Sequence, residues 1–261
     1  MKILPIIAII LTIPFLVGVA GVALAQAGGG PLPAPVFQNL RNAKFAVRIP
    51  AFEQIMAIEQ AALDNDQPIP PKIRQALNDL LRREETEAAD KTATDYTNDE
   101  EYLPELIESV IALHDISSVD LLLNALAFSL SLTAHELARY GDAIVPKLVA
   151  IYEAPFQTDP NYDGLNARRF DLMMVMIDMI ETHTVKNADN RKKFESIFIA
   201  NAQLNGDDDG SLRALAIRGL QYFTDPEARR WVQGALNDSD YGVRSEGERA
   251  LKAQNQRLNA Q

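Results

Sequence analysis

Residues 207–251 read DDDGSLRALAIRGLQYFTDPEARRWVQGALNDSDYGVRSEGERAL, and two apolar stripes run through them. Leu212, Leu215, Ala216, Gly219, Leu220 and Phe223 recur at three- and four-residue steps, which puts them on one face of a helix. Asp207 to Asp209 precede that helix, where negative charge suits the positive end of its dipole. Thr224-Asp225-Pro226 then turns the chain and opens a second helix, with Pro in the first turn and Thr or Asp available as the cap. The second stripe is Ala228, Trp231, Val232, Ala235 and Leu236, and Asn237-Asp238 ends it. Helix, short Pro turn, helix and short turn form the unit of an α-solenoid, in which neither helix hides its apolar face without the next unit.

Shifting the chain by 31 residues tests for repetition. The shift pairs Asp207 with Asp238, Asp209 with Asp240, Arg213 with Arg244, Arg218 with Arg249 and Leu220 with Leu251. Leu212 with Val243 and Gly219 with Ala250 preserve the apolar face. This segment resembles the HEAT-like repeats named after phycobilisome lyases, on the strength of Asp209, Leu212 and Arg213, the turn Asp225-Pro226-Glu227-Ala228, then Asp240, Val243 and Arg244. The resemblance implies an all-α fold, an α-solenoid (α-α superhelix) of stacked antiparallel helix pairs, and a role in binding other proteins.

Upstream the pattern is looser. Ile144, Val145, Leu148, Val149 and Tyr152 look like the buried side of a second helix that begins at Asp142, and Val119 to Leu132 reads as one strongly apolar helix. Residues 166–180 and 190–204 make another pair, while helices near 52–64, 71–89 and 101–113 form a divergent first repeat or a cap. The expected array is continuous over 36–261. Glu84 to Glu105 contains nine acids and one base and reads as a solvated helix end and loop.

The N-terminus concerns location. Met1-Lys2 precedes Ile3 to Ala25, an uncharged stretch that ends in Ala23-Leu24-Ala25, so residues 1–25 are expected to be a signal peptide. The apolar run is also long enough to stay as a membrane anchor. Cleavage would leave Gln26 first, followed by a flexible linker over 26–35, QAGGGPLPAP. The expected destination is the periplasm or the exterior, or the inner membrane if the segment is retained.

Composition narrows the function. Among 261 residues, 36 acids against 25 bases give a formal charge of −11, the wrong sign for gripping a nucleic-acid backbone. The absence of cysteine excludes a disulfide scaffold, a thiol nucleophile and a cysteine metal site, and three histidines leave few nitrogen ligands. His135-Glu136 begins a zincin motif, but Arg139 stands where the second histidine must be. His114 and His183 sit near expected helix C-termini, where an imidazole suits the exposed carbonyls. Asp159, Asn161 and Asp163 match the first half of a calcium loop, yet Phe170 replaces its closing glutamate, so the loop is a weak metal candidate beside its simpler reading as a turn and helix cap. No cofactor is expected.

The expected function is that of an exported, non-enzymatic scaffold whose concave face, lined by the second helix of each pair, binds a protein or peptide. Arg229, Arg230 and Gln233 lie off the buried stripe of their helix and are the first interface candidates, because Arg can hold carboxylates bidentately. Lys147, with Lys192 and Lys193 beside Arg191, would extend a basic strip along earlier second helices. The alternatives are an envelope enzyme or enzyme accessory, as the repeat family's name suggests, and a membrane-tethered assembly factor. Membrane contact is expected only through residues 3–25.

Overall fold

The apolar stripes fold as helices. The computed structural model describes residues 34–42, 44–89, 102–154, 165–203 and 210–259, and all regular structure in them is helical. The leader, most of the linker, the loop with Asp159, Asn161 and Asp163, and Asp207 to Asp209 lie outside the described residues. By contacts the chain divides into two units, 1–80 and 81–261.

In the first unit, α1 (Ala34–Leu40) begins within the stretch read as linker and packs against α2 (Phe45–Asp64), whose Phe52 and Ile55 are buried. Arg48 is buried as well, and its Nη1 donates to the Asn42 carbonyl at 3.0 Å. The long α3 (Pro71–Ala89) starts here with Ile73 and Leu77 inside.

Among the described residues the second unit holds the end of α3 and nine further helices: α4 (Tyr102–Ala112), α5 (Val119–Ala125), α6 (Leu130–Arg139), α7 (Val145–Glu153), α8 (Leu165–Glu181), α9 (Ala188–Ala202), α10 (Gly210–Leu220), α11 (Pro226–Ala235) and α12 (Tyr241–Asn259). Each even-numbered helix packs on the next even-numbered one, from α4 through α6, α8 and α10 to α12. The odd-numbered α9 and α11 also touch, and sequential neighbours α4–α5, α5–α6, α7–α8, α9–α10, α10–α11 and α11–α12 pack together. The core lies between these helices: Leu212, Leu215, Ala216, Leu220 and Phe223 are buried as their spacing predicts, and so are Ile144, Val145, Leu148, Val149 and Tyr152. In α11 the stripe is only partly enclosed, with Ala228, Val232 and Ala235 buried and Trp231 and Leu236 half-buried.

One expected helix is two. The run from Val119 to Leu132 breaks between Ala125 and Leu130, where Ser129 leaves helical geometry at φ −150° and ψ 72°. Across the break α5 and α6 pack against each other. Nor is the start of the acidic stretch solvated, since Glu84 and Glu85 are buried within α3. Burial pushes the Glu85 carboxyl up to about 8, against a hydrogen bond with Asn124 and the charge of Arg82.

Polar links hold neighbouring helices in register. Arg213 of α10 grips Asp238 before α12 with two bonds, Nε to Oδ2 at 3.2 Å and Nη2 to Oδ1 at 3.1 Å. Its repeat counterpart Arg244 instead turns back to the carbonyls of Asp238 and Ser239, each at 2.7 Å. Buried Gln254 of α12 donates to the Leu220 and Phe223 carbonyls at 3.0 and 2.8 Å, satisfying acceptors that the end of α10 leaves open. Farther up the chain, Asp142 before α7 accepts from the Lys186 and Asn187 amides and from Asn190 Nδ2, at 2.9, 3.1 and 3.0 Å. The Asn190 bond, followed by those amides, holds the Asp142 carboxyl below the usual range. Beside it Gly141 has φ +55°, and a Cβ there would stand 2.6 Å from the Thr184 carbonyl oxygen, so only glycine fits.

Candidate functional site

A groove of about 470 Å³ runs between α7 and α9. Tyr152 and Glu153 form its α7 wall, while Asp189, Lys192, Lys193, Ser196, Ile197 and Ala200 form the wall on α9. The α9 residues recur at three- and four-residue steps, so one helix face supplies them all. Asn187 starts that helix by accepting from the Asp189 and Asn190 amides at 2.8 and 3.1 Å, and Phe194 and Phe198 anchor the opposite face in the core. Tyr152 is fixed from behind, because buried Asn201 donates to its hydroxyl and to the Ile197 carbonyl. The Arg169 guanidinium lies 5.4 Å from the centre of its ring. Burial, ahead of the Asn201 bond and the Arg169 charge that oppose it, raises the Tyr152 phenol, which therefore stays neutral at physiological pH.

Two of the sequence-predicted residues, Lys192 and Lys193, meet in this groove. Lys192 Nζ donates to Glu195 Oε2 at 2.9 Å, and that bond, followed by the nearby charges of Glu195, Asp225 and Glu227, raises the lysine. Lys193 is exposed on the rim. Lys147 projects from α7 and pairs with Asp120 of α5. On α11, Arg230 is exposed, pairs with Glu227 at 3.7 Å and covers the Trp231 ring at 5.4 Å. Gln233 is exposed on the same helix. Arg229 faces α12, where its Nη2 donates to Asn255 Oδ1 at 3.2 Å while Nη1 is buried without an acceptor. The basic strip thus divides into a groove component, two cations engaged by acids of their own or the preceding odd-numbered helix, Arg230 and Lys147, and Arg229, which turns to an amide of α12.

The groove presents an aromatic ring, apolar side chains at Ile197 and Ala200, a rim ammonium, a hydroxyl at Ser196 and two carboxylates. Sequence reasoning assigned Tyr152 to the core, which is its main environment, and missed its place in the groove wall because that depends on how α7 and α9 come together. Asn201 and Asp142, which set the two odd-numbered helices in place, act across 49 and as many as 48 residues.

Two of the three histidines close helices. His114 and His183 follow the ends of α4 and α8 with φ of 47° and 57°, the left-handed position that closes a helix. His114 Nδ1 meets buried Glu136 at 2.8 Å, and Arg139 reaches the other oxygen of that carboxylate at 3.1 Å. Glu136, which the zincin pattern would make a base, is instead held by two partners. Among the described residues no group of three or more His, Cys, Asp or Glu is placed to hold a metal ion, and no helix is long and apolar enough to cross a membrane. Compared with known proteins, the chain matches no family model and no curated sequence.

Proposed function

We propose that residues 81–261 form an α-solenoid of HEAT-like helix pairs, and that the protein is an exported, non-enzymatic scaffold that holds a protein or extended peptide in the α7–α9 groove. The observation that carries the reading is the groove itself, formed by neighbouring odd-numbered helices and presenting Tyr152, Lys193 and Ser196 together. The packing of each even-numbered helix on the next supports the solenoid, since stacked pairs bring like helices side by side. Export rests on the leader-like residues 1–25.

The test is site-directed photocrosslinking in an envelope extract, with a photoreactive amino acid at Ser196 and a control at exposed Glu248 of α12. A discrete adduct from Ser196, absent from the Glu248 position and lost on Lys193→Glu, supports the groove as the binding face. Equal labelling at both positions, or an adduct unaffected by charge reversal at Lys193, refutes it.

A further inference from the structure

The α7–α9 groove has a direction. Asp142, just before α7, binds the Asn187 amide and the Asn190 side chain at the start of α9, while Tyr152 near the end of α7 accepts from Asn201 near the end of α9. The two helices therefore run parallel, and the lining residues of α9 follow one another along the groove in chain order. Asp189 stands at the end where both helices start, and Glu153 at the end where both finish. Between these carboxylates the surface changes character once, from Lys193 past Ser196 to Ile197 and Ala200, with Tyr152 on the facing wall. The two lysines differ. Lys192 is engaged by Glu195 at 2.9 Å, whereas Lys193 is exposed and pairs with no acid among the described residues.

We propose, resting on the reading of this groove as the binding face, that its occupant is an extended peptide segment carrying an acidic residue and, two positions away, an apolar one. The acid meets the Lys193 ammonium, and the apolar side chain lies over Ile197 and Ala200. The interval follows from the two geometries. Along α9 the step from Lys193 to Ile197 is four residues and the step to Ala200 is seven, or about 6 and about 10 Å at the helical rise. An extended chain advances about 7 Å in two residues and returns its side chains to the same side. Residues one or three apart face opposite sides, so an interval of two serves both contacts.

The remaining lining residues fit the same occupant. Ser196 and Ala200 are small and exposed, which lets a peptide backbone come close to α9. The residue between the two anchors points away from the groove, and its backbone passes Ser196, whose hydroxyl both donates and accepts. Asp189 and Glu153 restrict where the acid sits, because an acidic side chain at either end of the groove faces a carboxylate instead of an ammonium. A uniformly acidic segment is thereby disfavoured, and a single acid beside an apolar residue is preferred.

Fluorescence polarisation with the full chain tests this, using labelled Gly-Ser-Asp-Ser-Leu-Ser-Gly, the same peptide with Lys for Asp, and the same with Ser for Leu. Each is made in both chain directions, because an interval of two is the same in either. The Asp form is expected to bind wild type roughly fivefold more tightly than the Lys form, the worth of an exposed ion pair, with the difference shrinking as salt rises. Lys193→Glu is expected to invert that order, and loss of Leu to weaken binding to both proteins. Equal affinities for the Asp and Lys forms, an order that Lys193→Glu leaves unchanged, undiminished binding without Leu, or no binding by any peptide overturns the proposal. Failure of this occupant is separable from failure of the groove: a Ser196 photoadduct that depends on Lys193, found while the peptides show no charge preference, rejects the acidic–apolar segment alone, and absence of that adduct rejects the groove as well.

Discussion

Replacing Asp238 with Ala removes the carboxylate that Arg213 grips, and the two partners are unequally buried: the arginine side chain is 7% exposed, the aspartate 19%. Asp238→Ala takes away the carboxylate that grips a largely buried guanidinium with two bonds, and breaking a buried pair from one side costs about 3–5 kcal/mol. In a chain of this size that is a fall of roughly 10 °C in Tm. Arg213→Met removes the charge but keeps most of the volume, and leaves an aspartate that still reaches solvent and the Asp240 amide at 2.9 Å. Its expected cost is about 1 kcal/mol. The double variant should therefore be more stable than Asp238→Ala alone. Acidity adds a second signature. Burial tends to raise the Asp238 carboxyl, but the Arg213 bond, the Asp240 amide and the charges of Arg213 and Arg244 hold it below the usual range. Its contribution is present above the unfolded value, about 3.9, and is lost as pH falls through the lower folded value. Wild-type and Asp238→Ala stabilities should thus converge in acid. Denaturant unfolding followed by far-ultraviolet circular dichroism gives all four free energies. Equal costs for the two single changes, or costs that simply add in the double variant, would refute the reasoning.

Gly141→Ala should lose roughly 3 kcal/mol in the same assay, from the left-handed backbone and the clash with the Thr184 carbonyl together; a loss below about 1 kcal/mol would mean that the two turns do not approach as described. His183→Gly should gain about 1 kcal/mol, because an exposed imidazole at φ 57° leaves room for improvement by glycine, and any loss of stability would contradict the assigned backbone. Gln254→Leu should cost about 2 kcal/mol by leaving the Leu220 and Phe223 carbonyls without their donor, with faster amide exchange at the end of α10 as its local mark.

Much of the fold is legible in the sequence because apolar spacing records which side of a helix is hidden. Leu212 through Phe223 and Ile144 through Tyr152 are buried where the spacing puts them, and Asp225 caps α11 as its place before Pro226 implies. Val119 to Leu132 failed as a single helix because a nearly continuous apolar run has no polar face to set its phase, so packing decides where it bends. Local ion pairs such as Lys192–Glu195 and Arg230–Glu227 follow the three-residue helical step and are readable. The links Arg213–Asp238, Asp142–Asn187 and Asn201–Tyr152 join residues 25 to 49 apart, and nothing local marks them as partners. The groove depends on two such links, so its basic residues were visible from composition while the pocket they share was not.

The central claim, that neighbouring even-numbered helices lie side by side, has a direct test because the chain contains no cysteine. A Cβ built at Gly210 of α10 lies 3.7 Å from the Cβ of Asp240 at the start of α12, within the separation a disulfide spans. The doubly substituted Gly210→Cys, Asp240→Cys protein is expected to close this bond nearly completely under mild oxidation, and mass spectrometry should find the two cysteine peptides joined within one chain. Two thiols that remain free in the folded protein, or that link only between chains, would contradict the stacked arrangement.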